Sequence, residues 1–364
     1  MSMKLSSIRR RAKSSVDSSL IILKRIRTLL ICSFAAFIIG ATIARWPQHT
    51  DGFSDGLRHE IIPLVAIVAC IKQTGDYNPA DFIEKKLLAS IYRTISKEER
   101  ARFRIELILG YDHDDEYWRL DNHHHLSPRN SDGSAILFDD KHEAIPINYV
   151  SIRKDLTGDR PNRIPFNEVC QAAFDYGATY IVRVNDDSEF VTTGWIPLAT
   201  SALQEFSPTN VGVVGPTCHQ GNQEIMTHDM VHAASHYSIF DTYYASEFDN
   251  YYIDDWITRV YGKDRTQQLT DWEVVHHYEK FGGGVHKERY KPSFGQDKLL
   301  DQLVMKGTEK VERKVSEMER SKTNEVLLDR DRINRLRILG TAAIERVDGP
   351  MQKVHVSLMR KSKV

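Results

Sequence analysis

Several signatures that would settle a function are missing from this chain. It has no CxxC pair, no N-x-Ser/Thr sequon, and neither a GxGxxG nor a GxxxxGK[ST] loop. A zinc knuckle, a thioredoxin-type redox centre and the common phosphate-binding loops are therefore not indicated. Cysteine is scarce, with four in 364 residues: Cys32, Cys70, Cys170 and Cys218. Cys32, Cys70 and Cys170 lie in apolar patterns and read as small buried hydrophobes, and no disulfide follows from the spacing. Net charge is almost absent as well, at −1, so nothing draws the whole chain to nucleic acid or acidic lipid. No internal repeat is visible.

What is present is an ordinary globular composition, 41% hydrophobic and 27% charged, in a chain long enough for one large domain or two small ones. The charge is uneven at the start. Residues 1–27 carry Lys4, Arg9, Arg10, Arg11, Lys13, Lys24, Arg25 and Arg27 against a single Asp17, and the stretch Thr28–Ala44, TLLICSFAAFIIGATIA, has no charge. As a helix it spans about 25 Å, enough for a thin secretory-pathway bilayer. The basic flank keeps the amino terminus cytosolic and sends everything after Arg45 to the lumen. A cleaved signal peptide, a mitochondrial presequence and a buried helix compete with this signal-anchor reading. The first would have shorter basic and apolar regions, and the second would be amphipathic.

Beyond a polar stem, the runs 61–71 (IIPLVAIVACI), 103–111 (FRIELILGY), 145–152, 180–184 and 211–215 read as strands. Helices are expected from Asn78–Pro79, with Ile83, Leu87, Ile91 and Ile95 buried, and over 166–176, 194–206, 229–240, 254–261 and 297–339. A further strand is expected at 273–278, and Lys280–Lys291 with its three glycines as a flexible loop. Strands alternating with helices imply a mostly parallel sheet in one α/β domain.

The stretch YIVRVNDDSEF (Tyr180–Phe190) organises the chemistry. An apolar strand that stops on Asn185, Asp186 and Asp187 delivers carboxylates at its carboxyl end, where open α/β sheets bind ligands. Two acids there suit a hard divalent cation whose remaining positions accept a diphosphate. Asp254 and Asp255, followed by Trp256, open a helix; they serve either as dipole partners or as a general base beside a sugar-stacking wall. His276, His277 and His286 flank Gly282–Gly284, and one of the three is a candidate nitrogen ligand in a loop able to close over substrate. A mixed zinc site from Asp112, Asp114 and Asp115 with His123–His125 is a weaker possibility.

The basic tail, the anchor and the segments RIELILGYDHDDEYW, IPFNEVCQAAFDYGATYIVRVNDDSEFVTTGWI, VGVVGPT, FDNYYIDDWITRVYG and GGGVHKERY, in that order, resemble a type II membrane glycosyltransferase of the GT-A fold. The closer likeness is to DxD glycosyltransferases of algae and protists, over about residues 61–292. The resemblance implies a Rossmann-like, mostly parallel sheet flanked by helices. It implies a tail (1–27), an anchor (28–44), a stem (45–60), a catalytic domain (61–296) and a helical extension (297–364). It also implies a hexosyltransferase-like enzyme of the Golgi or ER membrane, using Mn2+ or Mg2+ and a nucleotide-sugar donor such as a UDP-sugar, with a glycan, protein or lipid acceptor. Asp187 maps to the metal, with His277, or else His276 or His286, as the late ligand. Asn185 and Asp186 stand beside the donor, Cys70, Ile71, Lys72, Gln73 and Thr74 line the nucleoside, and Asp112, Asp114 and Asp115 approach base or ribose. Asp254 and Asp255 map to the catalytic acids. Asn185 replaces the first aspartate of the family pattern, making an NDD variant. A metal-dependent hydrolase and an inactive sugar-nucleotide-binding protein are the competing classes.

Overall fold

The structure, a computed structural model, describes residues 62–73, 79–120, 125–136, 144–154, 160, 162–220, 222–277, 290 and 293–345, the last of these without side chains beyond 323. The expectations for the tail, the 28–44 anchor, the stem, Thr74, His123, His124, the glycine triplet and His286 fall outside these residues. Among the described residues no helix is long and apolar enough to cross a membrane. The chain divides into two units, 1–60 and 61–364, and the second holds everything described.

Eight strands form one sheet in the order β3-β2-β1-β4-β7-β6-β8-β5. They are β1 (Leu64–Cys70), β2 (Arg104–Asp112), β3 (Ile147–Ile152), β4 (Tyr180–Arg183), β5 (Ser188–Phe190), β6 (Val213–His219), β7 (Asp229–His232) and β8 (Thr266–His276). The first helical run is α1 (Pro79–Phe82), a π-helical turn (Ile83–Leu88) and α2 (Ala89–Thr94). Then come α3 (Lys97–Arg102), α4 (Phe166–Asp175), α5 (Trp195–Glu205), α6 (Ala233–Tyr237), α7 (Ile253–Val260) and α8 (Asp297–Glu345).

The centre follows directly from the sequence. β1 is apolar throughout because both of its faces are covered. Leu64, Ala66, Val68 and Cys70 enter one core, while Val65, Ile67, Ala69 and Ile71 enter the other. Ile83, Leu87, Ile91 and Ile95 are buried as their spacing requires. Gly110 of β2 lets α4 lie close against the sheet: a Cβ there would fall 1.9 Å from Val169 Cγ2. Cys70, Cys170 and Cys218 are buried free thiols.

Three expectations are corrected. The sheet is mixed rather than mostly parallel: β1 pairs in parallel with β2 and β4, β2 with β3, and β6 with β8, whereas β7 runs antiparallel to both β4 and β6, and β5 to β8. The expected helix over 229–240 is a strand followed by a short helix, because Asp229–His232 fills the space between β4 and β6 and ladder pairing overrides the local helical pattern. β8 starts at Thr266 rather than 273. Its polar first half pairs with β6 across an irregularity at Pro216/Thr217, a pairing that leaves no apolar alternation to read.

The helical extension is continuous with the core. Leu300, Val311 and Val315 of α8 are buried in the cluster that contains Trp256 and Val260. Gly307 lets α8 meet α7 closely, since a Cβ there would come 2.3 Å from Val260 Cγ2.

The order places β2 and β3 on one side of β1 and β4 on the other, so the direction of winding reverses at β1. A crevice at the carboxyl ends of strands flanking such a reversal is where open α/β sheets bind ligands.

Candidate functional site

Ladder bonds bring three loops to that edge of the sheet. Val184 N donates to Val68 O (2.9 Å) and Ile71 N to Gly110 O (2.8 Å). Residues 71–73, 112–115 and 185–187 therefore leave the sheet at the same edge.

At the end of β4, Asp186 and Asp187 are buried, 1% and 4% exposed, at the edge where solvent would otherwise hydrate them. Asp187 Oδ1 lies 3.1 Å from His276 Nε2, and Asn185 Nδ2 lies 3.3 Å from the same nitrogen. Antiparallel pairing of β5 with β8, Ser188 opposite His276, creates this meeting. Burial pulls the His276 imidazole towards its neutral form, but the hydrogen bond and charge of Asp187, with Asp254 beyond, outweigh it and hold the group above the ordinary histidine value.

Behind His276 stands a second imidazole. His228 packs edge-on against it, ring centroids 5.5 Å apart, and is hydrogen-bonded to Ser188 Oγ (2.6 Å) and Thr227 Oγ1 (3.0 Å). Burial, helped by His276 and Arg183, drives His228 well below the usual value, so it packs as a neutral ring.

Asp254 reaches the site from α7. Its Oδ1 accepts a hydrogen bond from Arg183 Nη2 at 2.5 Å. Arg183 is 1% exposed and also bonds Asp229 Oδ2 (3.1 Å), Tyr244 Oη (2.5 Å) and the Thr227 carbonyl (2.5 Å). Tyr243 and Tyr244 donate to the two Asp229 oxygens, each at 2.6 Å. Burial raises the Asp254 carboxyl above the usual carboxylate range in spite of Arg183, and its field reaches His276. Asp255 is turned differently. Burial raises it too, but the charges that act on it are Arg259 and Asp297, towards α8.

The nucleoside-side candidates divide. Cys70 and Ile71 spend their side chains in the two cores. Asp112 is bridged by Lys72 Nζ (3.2 Å) and Lys154 Nζ (2.7 Å), both ammonium groups lying over the Tyr290 ring. Asp115 accepts from the backbone amides of Gln73 (2.8 Å), Tyr117 (3.1 Å) and Trp118 (3.2 Å), tying the end of β1 to the end of β2. Asp114 is exposed. With Asp112 and Asp115 so engaged and His125 exposed, the described part of 112–125 assembles no zinc site.

His276 and His277 face opposite ways. His277 Nε2 lies 2.8 Å from Glu189 Oε2, and its ring meets Phe82 edge-on; only its backbone N–H turns to Asp187, donating to the carbonyl at 3.0 Å. The residue brought to the Asp187 carboxylate is thus His276, because side chains alternate along β8. Arg183, His228 and Glu189 escaped the sequence reading. Arg183 alone carried a signal, a cation within the apolar run YIVRV that a buried strand admits only with paired acids.

Among the described residues no set of three or more His, Cys, Asp or Glu side chains is arranged to hold a metal alone. The Asp187–His276 pair nevertheless fits a divalent cation. Two octahedral ligands at right angles, each about 2.1 Å from a cation, stand about 3.0 Å apart, and the observed separation is 3.1 Å. Two protein ligands leave the other positions for phosphate oxygens and water.

No protein-family model matches the chain, and no curated protein sequence matches it. Among solved structures it is similar to S. aureus TarS 1–349 in complex with UDP-GlcNAc, at 12% identity, TM-score 0.42, 67% of this chain and 66% of that one. It is also similar to a TarS 1–349 structure without that description, at 12% identity, TM-score 0.37, 58% of this chain and 60% of that one. A third is a protein from Desulfovibrio desulfuricans G20 described as a nucleotide-diphospho-sugar transferase, at 14% identity, TM-score 0.34, 67% of this chain and 97% of that one. The chain spans 60–66% of the TarS 1–349 chains it matches. Likenesses of this strength establish no activity, and the functional reading rests on the residues above.

Proposed function

We propose that this protein is a metal-dependent glycosyltransferase of GT-A-like architecture, moving a sugar from a nucleotide-sugar to a hydroxyl-bearing glycan or glycoconjugate acceptor. The observation that carries it is the Asp187–His276 pair, beside Asp186 and near Asp254, at the carboxyl edge where the winding of the sheet reverses. A Mn2+ or Mg2+ ion held there would supply positive charge that stabilises a departing diphosphate. Asp187 Oδ1 and His276 Nε2 would hold the ion. Asp254 accepts the proton of the acceptor hydroxyl as that oxygen forms its bond to the anomeric carbon and the bond to the diphosphate breaks. Arg183 fixes where Asp254 stands. The carboxylates buried around the pair would repel a free diphosphate, so donor binding depends on the cation.

A thermal-shift screen of nucleotide-sugars with Mn2+ or EDTA tests this. A donor at a hundredfold excess over its Kd adds about 2.7 kcal/mol, a rise of several degrees. The rise is expected only when nucleotide-sugar and Mn2+ are both present. Equal shifts in EDTA, or none with any donor, would remove the reading.

The charge-free segment 28–44 behind its basic tail supports extending the proposal to a single-pass anchor in the ER–Golgi membrane, with the site in the lumen. A glycosylation-acceptor tag fused after Val364 is then expected to be glycosylated in cells, and an unmodified, cytosol-accessible tag would overturn this topology.

A further inference from the structure

One charged cluster lies beside the metal pair without belonging to it. Glu189, the middle residue of β5, bonds Lys86 Nζ (3.1 Å) and His277 Nε2 (2.8 Å) through Oε2, and Arg93 Nη2 (2.9 Å) through Oε1. Its neighbour Phe190 donates its backbone N–H to Ser90 Oγ at 3.0 Å. Phe82 meets the His277 ring with centroids 5.7 Å apart. Phe82, Lys86, Ser90 and Arg93 form one stripe of the first helical run, and every one of them contacts β5 or the end of β8.

β5 needs such support. It is three residues long, and among the described strands it is the last of the sheet, with β8 as its single neighbour. A one-residue slip of this pair would turn His276 away from Asp187, because side chains alternate between faces. The ion pairs are too exposed to contribute much to global stability, with Lys86 30% and Arg93 50% exposed. Their effect falls on the register of the strand they touch.

We propose that Glu189 is a positioning residue for the metal pair: through it and His277, the Phe82–Arg93 stripe locks β5 against β8 in the register that sets Asp187 beside His276. This rests on the metal–diphosphate reading of the same site.

The test is Mn2+ alone, titrated into the full-length protein and followed by electron paramagnetic resonance, with thermal midpoints recorded in parallel. Glu189→Gln is expected to weaken Mn2+ binding about 10- to 100-fold, the usual cost of losing an outer support of a metal site. Lys86→Met/Arg93→Met, which attacks the clamp from the helix, is expected to weaken it in the same direction and covers the case in which Glu189→Gln fails to fold. Glu84→Gln is the structural control, because Glu84 sits on the same run but binds Ser127 N and Arg129 Nε. It is expected to lower the thermal midpoint and leave Mn2+ affinity unchanged. Wild-type Mn2+ affinity in the folded Glu189→Gln variant, with binding lost in Asp187→Ala, overturns the positioning role alone. Mn2+ binding indifferent to both Glu189→Gln and Asp187→Ala overturns the metal reading and this proposal with it.

Discussion

Asp187→Ala is expected to abolish Mn2+ binding and cut sugar transfer about 100- to 1000-fold while leaving the thermal midpoint near that of the wild type. The residue sits at a strand end, so truncation opens no core cavity, and it removes the carboxylate oxygen 3.1 Å from His276 Nε2. A metal stabilising a departing diphosphate supplies several kcal/mol, and each 1.4 kcal/mol is tenfold in rate, so the loss is about 100- to 1000-fold. The measurement is release of nucleoside diphosphate, with the donor found by thermal shift, alongside Mn2+ titration. His276→Ala should fall in the same class. Asp254→Asn should differ in kind: Mn2+ and donor still bind, and transfer fails, because proton acceptance alone has been removed. Full transfer by Asp187→Ala would end the metal assignment, and full transfer by Asp254→Asn would end the base assignment.

The second large effect is on stability. Arg183→Met is expected to cost about 3–5 kcal/mol in urea denaturation, because removing one partner of a buried ion pair strands the other charges. Asp229 is fully buried, and both it and Asp254 would lose their cation. Two phenols would still donate to Asp229, but they do not neutralise it. Adding Asp229→Asn and Asp254→Asn to Arg183→Met should recover most of the loss, since replacing a whole buried ionic group by neutral residues of similar volume is often close to neutral. If Arg183→Met were no less stable than wild type, the network would be a surface feature and not a strut between β4 and α7. The same substitution tests function, because Arg183 reaches both the strand that carries Asp187 and the carboxylate proposed as base.

Local sequence carried the centre of this molecule. The run Leu64–Cys70 has to be a strand covered on both faces, since seven consecutive apolar or small residues bury no other way at that length. The same logic marks Tyr180–Arg183, and the abrupt change to Asn185, Asp186 and Asp187 marks its carboxyl end. The stripe of Ile83, Leu87, Ile91 and Ile95 states its own buried face. In each case the information lies within a few residues, because strand and helix periodicities are local properties.

Choices between neighbours were decided elsewhere in the chain. His276 and His277 are identical in composition and adjacent in sequence. Which one meets Asp187 depends on the register of β8 against β5, 88 residues away by the Glu189–His277 contact. Asp254 and Asp255 separate in the same way: a helix turns successive side chains about 100° apart, and the packing of α7 against Arg183 and α8 selects the one that faces the site. Asp112 is engaged by Lys154, whose place at the end of β3 comes from parallel pairing with β2. Asp229–His232 becomes a strand only because β4 and β6 leave a slot for it. The sequence by itself determined the alternating α/β architecture and the edge of the sheet to which the acids are delivered. Tertiary structure alone decided which of two adjacent side chains enters the crevice, because that is set by long-range register and packing rather than by residue type.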